Sequence, residues 1–291
     1  GEIFVIMGLS GSGKSTIVRC LSRLVEPTAG QVLLDDENLL SKSAAELIEI
    51  RRHKMGMVFQ SFGLLPHLNV IDNIAFPLKL QGMDIAERRE RAQRFIDQVG
   101  LDGRQKSYPN QLSAGHKQTE GNARTLTVEP EIWYLDEPLS ALDPLIRREM
   151  QNEFLSIQAQ LQKSIVFITH DFLEALRIAD RMMIMKDGQI VQVGTPAELI
   201  VNPADDYVAD FTTDVPITRV LTASAVIEPG GETMPGDDLP EVAGGCCVED
   251  LLPALAHAPA VRVRGDEGIL GVVTAENVIR ALARESRPDG R

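Results

Sequence analysis

A phosphate-binding motif near the first residue constrains the fold of this chain more than any other feature. Residues 8–15 read Gly-Leu-Ser-Gly-Ser-Gly-Lys-Ser and match the pattern G-x-x-x-x-G-K-[ST]. An apolar run at residues 3–7 leads into the motif, and a helix-like stretch at residues 14–24 follows it. In a strand–loop–helix unit of this kind, backbone N–H groups and the helix N-terminus face a phosphate group. The motif therefore predicts an α/β domain that binds a nucleoside triphosphate.

Single residues of the motif have separate predicted roles. Lys14 is expected to reach the outer phosphates, and the Ser15 hydroxyl is expected to bind Mg²⁺. The cofactor-binding residues predicted in this segment are Gly8, Ser10, Gly11, Ser12, Gly13, Lys14, Ser15 and Thr16. A plain flexible Gly/Ser turn is disfavoured, since a random chain of this length matches the pattern on the order of one time in a hundred.

Composition limits the partners and the compartment. The formal net charge of -13 argues against nucleic acid, whose recognition usually needs a basic surface. No apolar run approaches the roughly 18–20 residues of a membrane span. Three cysteines without a C-x-x-C motif fit a reducing cytosol. We expect a chain that does not itself cross a bilayer.

The order of apolar and helical segments predicts two domains. Strands are expected at residues 31–34, 55–59, 132–135 and 165–168, with a hairpin around Asp187-Gly188 and a helix over residues 144–161. Such alternation indicates a mostly parallel sheet with helices on both faces. The composition shifts near residue 214, so the boundaries are expected at 1–212 and 213–291, the second being a small α/β module.

An acidic pair follows one of the predicted strands. The apolar segment 132–135 leads directly into Asp136-Glu137-Pro138. An aspartate at a strand end holds Mg²⁺, and a glutamate beside it polarises an attacking water. Taken alone, such a pair is usually a salt-bridged loop. Behind a phosphate-binding motif, a catalytic role for Glu137 and a metal-binding role for Asp136 are favoured.

Further short motifs occur in a consistent order over residues 1–212. They are Gln60, Leu112-Ser113-Ala114-Gly115-His116, Asp136-Glu137-Pro138, Ser140-Ala141-Leu142-Asp143 and Thr169-His170-Asp171. Together with the phosphate motif, they resemble the ATP-binding subunits of ABC transporters. The resemblance implies an α/β P-loop NTPase fold of the ABC type. The helical pattern of about residues 66–127 predicts a helical subdomain inserted in the sheet domain. The resemblance also implies ATP and Mg²⁺ as cofactors.

The resemblance further implies a mechanism and a set of roles. In the family, two such domains sandwich two ATP molecules head to tail, which implies a homodimer. By position, Gln60 contacts Mg²⁺ or the attacking water, and His170 contacts the γ-phosphate. Ser113 and Gly115 contact the γ-phosphate held by the opposing domain, and Asp143 bridges the dimer. The alternatives are a polar strand end for Gln60, a helix start for His170 and an ordinary N-cap for Ser113.

A finer resemblance points to glycine betaine/proline-type importers, which take up osmoprotectants. It rests on the stretches 2–10, 57–62, 143–151 and 165–171. In such importers the tail carries cystathionine-β-synthase-type (CBS) repeats, and residues 217–223 and 268–273 look like the opening and closing strands of one repeat. A generic α/β module is the alternative. Residues 215–291 contain more acidic than basic side chains, which disfavours salt sensing through anionic lipid.

The chain departs from the family pattern at two places. Ala114 replaces the first glycine of the signature pair, and Thr119 stands where an arginine is expected. Glu120 is expected to place negative charge near a helix end that attracts phosphate, and Gly121-Asn122 weaken the helix. We expect a weakened signature loop. No aromatic residue precedes Phe4, so we expect N-terminal strands and an adenine-stacking residue to be missing, which weakens ATP binding.

The resulting expectation is an ATP-hydrolysing subunit of an ABC importer for glycine betaine/proline-type osmolytes. It implies integral-membrane permease subunits, an indirect link to a substrate-binding protein, and a peripheral position on the cytoplasmic side of the inner membrane. Three alternatives remain: a degenerate or regulatory ATP-binding subunit with little turnover, an importer ATPase for another solute, and a soluble ABC-type protein acting on nucleic acid or ribosomes. The acidic charge disfavours the last.

Overall fold

The computed structural model describes residues 1–59, 63–140, 142–213, 215–227, 239–265 and 268–285. The chain forms two compact units, Gly1–Val193 and Gly194–Arg291. This division lies before two short helices that the predicted boundary at 212/213 assigns to the first domain. The boundary at 212/213 stays a prediction. In the described part of the chain, every helix is too short or too polar to cross a membrane.

A six-stranded sheet forms the centre of the first unit. The strands of this unit are β1 (Ile3–Gly8), β2 (Leu33–Leu34), β3 (Glu37–Asn38), β4 (Met55–Val58), β5 (Ile132–Asp136), β6 (Ser164–Ile168), β7 (Arg181–Lys186) and β8 (Gln189–Gly194). The sheet order is β4-β5-β6-β1-β7-β8, and β1 pairs in parallel with β6 and β7. Val5 and Met7 in β1 are fully buried, as apolar runs in a parallel sheet require.

Some helices of the first unit pack on this sheet, and three pack on one another as a helical insertion. The helices are α1 (Lys14–Leu21), α2 (Ala44–His53), α3 (Val70–Leu80), α4 (Ile85–Gln98), α5 (Ala114–Leu126), α6 (Pro144–Leu161) and α7 (Phe172–Ile178), with short 3-10 turns at Leu39–Ser41 and Pro109–Gln111. Helices α3, α4 and α5 form the insertion and lie between β4 and β5. Asn69 caps α3, Asp84 caps α4 and Ser113 caps α5 through their side chains. The predicted helical insertion and the predicted bounds of α6 agree with the structure.

Turn chemistry explains where strands end. The predicted hairpin is formed by β7 and β8, because Asp187 and Gly188 adopt φ of 50° and 78°, the left-handed pair that a tight hairpin needs. The strand predicted at residues 31–34 is reduced to the two residues of β2. Asp35 and Asp36 also have positive φ and turn the chain at once into β3.

The second unit contains two short helices followed by a small mixed sheet. Its elements are α8 (Pro196–Val201), α9 (Asp206–Thr212), β9 (Glu241–Ala243), α10 (Val248–Leu255), β10 (Val261–Gly265), β11 (Gly268–Val273) and α11 (Ala275–Glu285), with 3-10 turns at Ile217–Arg219 and Ala223–Val226. The sheet order is β11-β10-β9. Buried Val248, Leu251, Val261 and Val273 pack in its core.

The predicted strand at residues 217–223 is wrong. Arg219 N donates to Pro216 O at 2.9 Å and closes a 3-10 turn, and Thr222 makes only an isolated antiparallel bridge with Cys247. Val220 and Leu221 are nevertheless buried, so their apolar character reflects packing in the core and not a sheet position. The predicted closing strand is present as β11, paired antiparallel with β10.

Candidate functional site

The phosphate motif forms a tight loop between β1 and α1. Gly8 has φ of 152°, and a Cβ atom there would lie 2.4 Å from Met185 O. Gly13, in the left-handed region with φ of 100°, starts α1. Lys14 is 6% exposed, and its Nζ donates to Gly8 O at 2.8 Å and Leu9 O at 3.0 Å. Backbone carbonyl oxygens of the loop therefore bind the lysine ammonium group.

Ser15 and Asp136 lie together although 121 positions separate them. Ser15 Oγ donates to Asp136 Oδ1 at 2.8 Å, and Asp136 is 5% exposed. Asp136 ends β5, and the parallel pairing of β5 with β6 and of β6 with β1 brings the carboxyl ends of these strands to one edge of the sheet. A hydroxyl and a carboxylate are oxygen donors that suit Mg²⁺. The donor set fits the predicted metal.

Glu137 and His170 face one another at the same edge. Glu137 has φ of 46°, an uncommon value for a residue with a side chain, and its N–H donates to Ile168 O at 3.2 Å. Its Oε2 lies 3.5 Å from His170 Nδ1. The Glu137 side chain is 20% exposed and that of His170 is 59% exposed, so both are accessible to a ligand. The structure thus brings the two predicted catalytic residues together.

The signature residues lie at the start of α5. Ser113 Oγ accepts the His116 N–H at 3.3 Å and lies 2.7 Å from His116 Nδ1. Burial, together with the nearby Arg104, lowers the pKa of His116 below its ordinary value. A Cβ atom on Gly115 would lie 3.0 Å from the Ile146 side chain on α6. Ser113 therefore acts as the N-cap of α5, and its contact with a phosphate stays a prediction.

Two other predicted residues receive less support from the geometry. Asp143 Oδ1 accepts the N–H groups of Leu145 and Ile146, both at 3.1 Å, and so caps α6. Capping of α6 is a sufficient structural role for Asp143 within a single chain. Its predicted contact across a dimer stays a prediction. Gln60 lies outside the described residues.

Glu120 differs from its expected position. It lies in the interior of α5 and is fully buried, so it does not place charge near the helix end. Neither carboxylate oxygen has a hydrogen-bond partner in the described structure, and burial raises the pKa of Glu120 to about 7 against weaker opposing effects of Arg124 and Lys117. Helix α5 runs without interruption through Gly121 and Asn122.

Arg147 was not singled out by the sequence reasoning. Its guanidinium contacts Asp171 Oδ2 at 3.3 Å and Leu142 O at 3.1 Å. A sequence signal does exist, since Arg147 lies in the first turn of α6, where the positive end of the helix dipole disfavours a cation. An arginine at such a position suggests an acidic partner elsewhere in the fold.

Comparison with known proteins places the chain in a family. A family model described as "ABC transporter" matches residues 1–140. The chain is 51% identical over 291 residues to the trimethylamine N-oxide transport system ATP-binding protein of Ruegeria pomeroyi, covering 99% of this chain and 82% of that protein. It is 47% identical over 281 residues to the glycine betaine transport ATP-binding protein of Bacillus subtilis, covering 97% and 66%.

A solved structure agrees with these relatives. A dimeric ATP-binding cassette in a post-hydrolysis state, bound to ADP and Pi, superposes with a TM-score of 0.61 at 34% identity, covering 67% of this chain and 85% of that one. The chain therefore belongs to the ATP-binding subunits of ABC transporters, whose fold is the P-loop NTPase α/β fold.

Proposed function

We propose that this chain binds Mg²⁺-ATP with residues 8–16 and hydrolyses it with Glu137 as the base. The observation that carries the proposal is the hydrogen bond of 2.8 Å between Ser15 Oγ and Asp136 Oδ1, beside the Glu137–His170 pair. Ser15 and Asp136 would hold the metal, which screens the phosphate charge when bound. Lys14 neutralises the outer phosphates, Glu137 takes a proton from the attacking water, and His170 orients the γ-phosphate.

We propose further that two copies of the chain close over ATP. The exposed apolar side chains of Leu9 in the phosphate loop, 59% exposed, and Leu145 at the start of α6, 68% exposed, support a contact there. In this arrangement Ser113 and Gly115 would meet the ATP held by the other copy, and Asp143 would contact the partner. The dimeric state of the similar cassette supports the same proposal.

The dimer is tested with the variant Glu137→Gln, which we expect to bind ATP without turning it over. Sedimentation in Mg²⁺-ATP should give a dimer for the variant, and ADP should leave it monomeric. A matched carboxylate on the exposed face of α6, Glu149→Gln, should behave like the parent. A monomer at every nucleotide condition for Glu137→Gln would contradict the sandwich.

The transported solute is proposed to be a glycine betaine/proline-type osmolyte. This class includes small methylated amines such as glycine betaine and trimethylamine N-oxide. Relatives named for trimethylamine N-oxide and glycine betaine transport support this class. The chain would bind integral-membrane permease subunits at the cytoplasmic face of the membrane, with a substrate-binding protein linked indirectly and no nucleic acid bound.

Uptake by cells that express the chain with its permease tests the solute. Labelled glycine betaine, trimethylamine N-oxide and proline should enter with the parent and not with Glu137→Gln. Uptake of another class of solute alone would assign the chain to a different importer.

For the second unit, we propose a CBS-like module. The order β9-α10-β10-β11-α11 supports this proposal, and the 3-10 turn at Ile217–Arg219 in place of an opening strand weakens it. A solved structure of the full chain is the test. One β9-α10-β10-β11-α11 repeat with β9 parallel and β11 antiparallel to β10 would support a CBS-like module, and a different strand order would support a generic α/β module.

A degenerate subunit that binds ATP with little turnover is the second candidate. Among the described residues, neither the buried Glu120 carboxylate nor Gln118 Oε1, both in α5, has a hydrogen-bond partner, and this favours the second candidate. This candidate predicts ATP binding with no turnover above that of Glu137→Gln. The intact Glu137–His170 pair opposes it.

A further inference from the structure

Arg147 joins two loops that carry the residues of the proposed hydrolytic centre. It lies in the first turn of α6, and its side chain is 29% exposed. Nη2 donates to Leu142 O at 3.1 Å, in the loop that follows Glu137. Nη1 donates to Asp171 Oδ2 at 3.3 Å, in the loop that contains His170. One guanidinium group therefore holds both loops.

The loop that contains His170 is fixed on both sides of the histidine. Thr169 N donates to Ile6 O at 3.3 Å, which ties the loop to β1. Asp171 N donates to Thr169 Oγ1 at 3.0 Å, and Asp171 Oδ1 accepts the Glu174 N–H at 3.1 Å. Since Oδ1 caps α7, Oδ2 is the oxygen left for Arg147. The position of His170 thus depends on Asp171.

Two hydrogen bonds fold the segment that follows Glu137. Ser140 Oγ donates to Glu137 O at 2.9 Å, and Leu142 N donates to Leu139 O at 3.2 Å. These bonds leave Leu142 O facing the guanidinium. Glu137, Ser140, Arg147, Thr169, His170 and Asp171 line one small cavity. Arg147 therefore lines the same cavity as both proposed catalytic side chains.

The charge arrangement also favours this geometry. Arg147 faces Asp171 and lines the same cavity as the buried Glu174. Burial raises the pKa of Glu174, and hydrogen bonds with Thr169 and Gln151 oppose that rise more strongly than the charge of Arg147 does. Arg147 Nε is buried and has no hydrogen-bond partner in the described structure. A cation in the first turn of a helix is unfavourable. The hydrogen bonds to Asp171 Oδ2 and Leu142 O therefore stabilise the Arg147 guanidinium in this position.

We propose that Arg147 is a positioning residue that sets the separation of Glu137 and His170 for attack on the γ-phosphate. The proposal rests on the proposed ATP hydrolysis. Arg147 acts through Leu142 and Asp171 and has no assigned contact with nucleotide. Its loss should therefore lower kcat and leave ATP affinity nearly unchanged, since residues 8–16 supply the binding energy.

Steady-state ATP hydrolysis by the full chain tests the proposal. For Arg147→Gln we expect kcat to fall about tenfold or more, with the KM for ATP within about threefold of the parent, because misplacement of catalytic groups by an ångström costs up to about a hundredfold in rate. Arg147→Lys should recover only part of kcat, because one ammonium group does not span both acceptors.

Two arginines provide matched controls. Arg148 is exposed on the same helix, and Arg148→Gln should retain the parent kcat. Arg177 joins α7 to Gln151 and Asn152 on α6, and Arg177→Gln removes that tie. If Arg147 served only to hold α6 against α7, Arg177→Gln would lower kcat and melting temperature as much as Arg147→Gln. That outcome would overturn the proposal.

Asp171→Asn completes the test, since asparagine keeps the N-cap of α7 but removes the charge that faces Arg147. The loss of kcat in the double variant with Arg147→Gln should be smaller than the product of the single losses. Losses that multiply would mean that Arg147 does not act through Asp171, and would count against the proposal.

A second measurement separates this proposal from the hydrolysis on which it rests. In NMR spectra, the ring resonances of His170 in Arg147→Gln should move in the direction seen in Glu137→Gln, whether or not the parent turns over ATP. A parent without turnover would remove the proposed function, and unchanged His170 resonances would independently remove the positioning role of Arg147.

Discussion

Glu120 carries a carboxyl group into the interior of α5 without a hydrogen-bond partner in the described structure. Its pKa is about 7 in the folded chain and 4.5 in its ordinary state. The folded state therefore binds the proton more tightly than the unfolded state. The stability that protonation contributes is present below about pH 4.5 and is lost as the pH rises to about 7, a loss of about 3 kcal/mol.

The variant Glu120→Gln isolates this effect because its side chain does not titrate. Urea unfolding of parent and variant from pH 4.5 to 8 should show the parent losing about 3 kcal/mol relative to Glu120→Gln. Glu90→Gln, at an exposed position on α4, should show no such pH-dependent difference. Parallel curves for the parent and Glu120→Gln would mean that the Glu120 carboxyl is not buried as described.

The Ser15–Asp136 hydrogen bond leads to a prediction about the metal. Mg²⁺ should increase the affinity of the parent for ATP. In Ser15→Ala and in Asp136→Asn, each of which removes one oxygen donor, that increase should be smaller by a factor of about ten or more. Affinity for ATP in EDTA should change much less, because the phosphate loop is intact. Titrations with and without Mg²⁺ measure both quantities. An unchanged effect of Mg²⁺ in both variants would place the metal elsewhere.

Among the structural elements, the phosphate loop has strict backbone requirements at one of its glycines. At Gly8 a side chain would collide with Met185 O, whereas at Gly11 nothing lies within 4 Å of a Cβ atom, although φ is 81°. We expect Gly8→Ala to abolish ATP binding and lower stability by more than the roughly 1–3 kcal/mol of backbone strain alone. Gly11→Ala should cost no more than the strain. Thermal unfolding and ATP binding of both variants check this order, and equal effects would contradict it.

The sequence predicted elements well where periodicity and turn chemistry agree. Strand β1, helix α6 and the β7–β8 hairpin follow from an apolar run, a proline at a helix start and an Asp-Gly pair. The prediction failed at residues 217–223, where burial in a small core produces apolar residues without a sheet partner. The strand expected there rested on the resemblance to a CBS repeat, and a short apolar segment does not by itself separate these two causes.

The candidate site could be predicted in part for a similar reason. Residues at or just beyond the carboxyl ends of strands, such as Asp136, Glu137 and Ser15 at the start of α1, meet because parallel strands end at one edge of the sheet. The role of Arg147 and the burial of Glu120 depend on which faces of α5, α6 and α7 come together. That packing is set by distant side chains and leaves little mark on the local sequence.

At the scale of the whole molecule, the question is whether the altered signature helix still supports turnover. Thr119 Oγ1 donates to Met150 Sδ at 3.5 Å, and α5 contains the buried Glu120. The helix still begins directly after its N-cap Ser113 and runs without interruption to Leu126. Since Glu137 and His170 lie together at the sheet edge, we expect hydrolysis to persist.

Steady-state Mg²⁺-dependent ATP hydrolysis by the full chain, compared with Glu137→Gln and Glu149→Gln, tests this central claim most directly. The account predicts turnover in the parent and in Glu149→Gln, and a fall of about a hundredfold or more in Glu137→Gln, the scale of a lost general base. ATP binding without turnover above that of Glu137→Gln would contradict the account and identify the chain as a degenerate subunit.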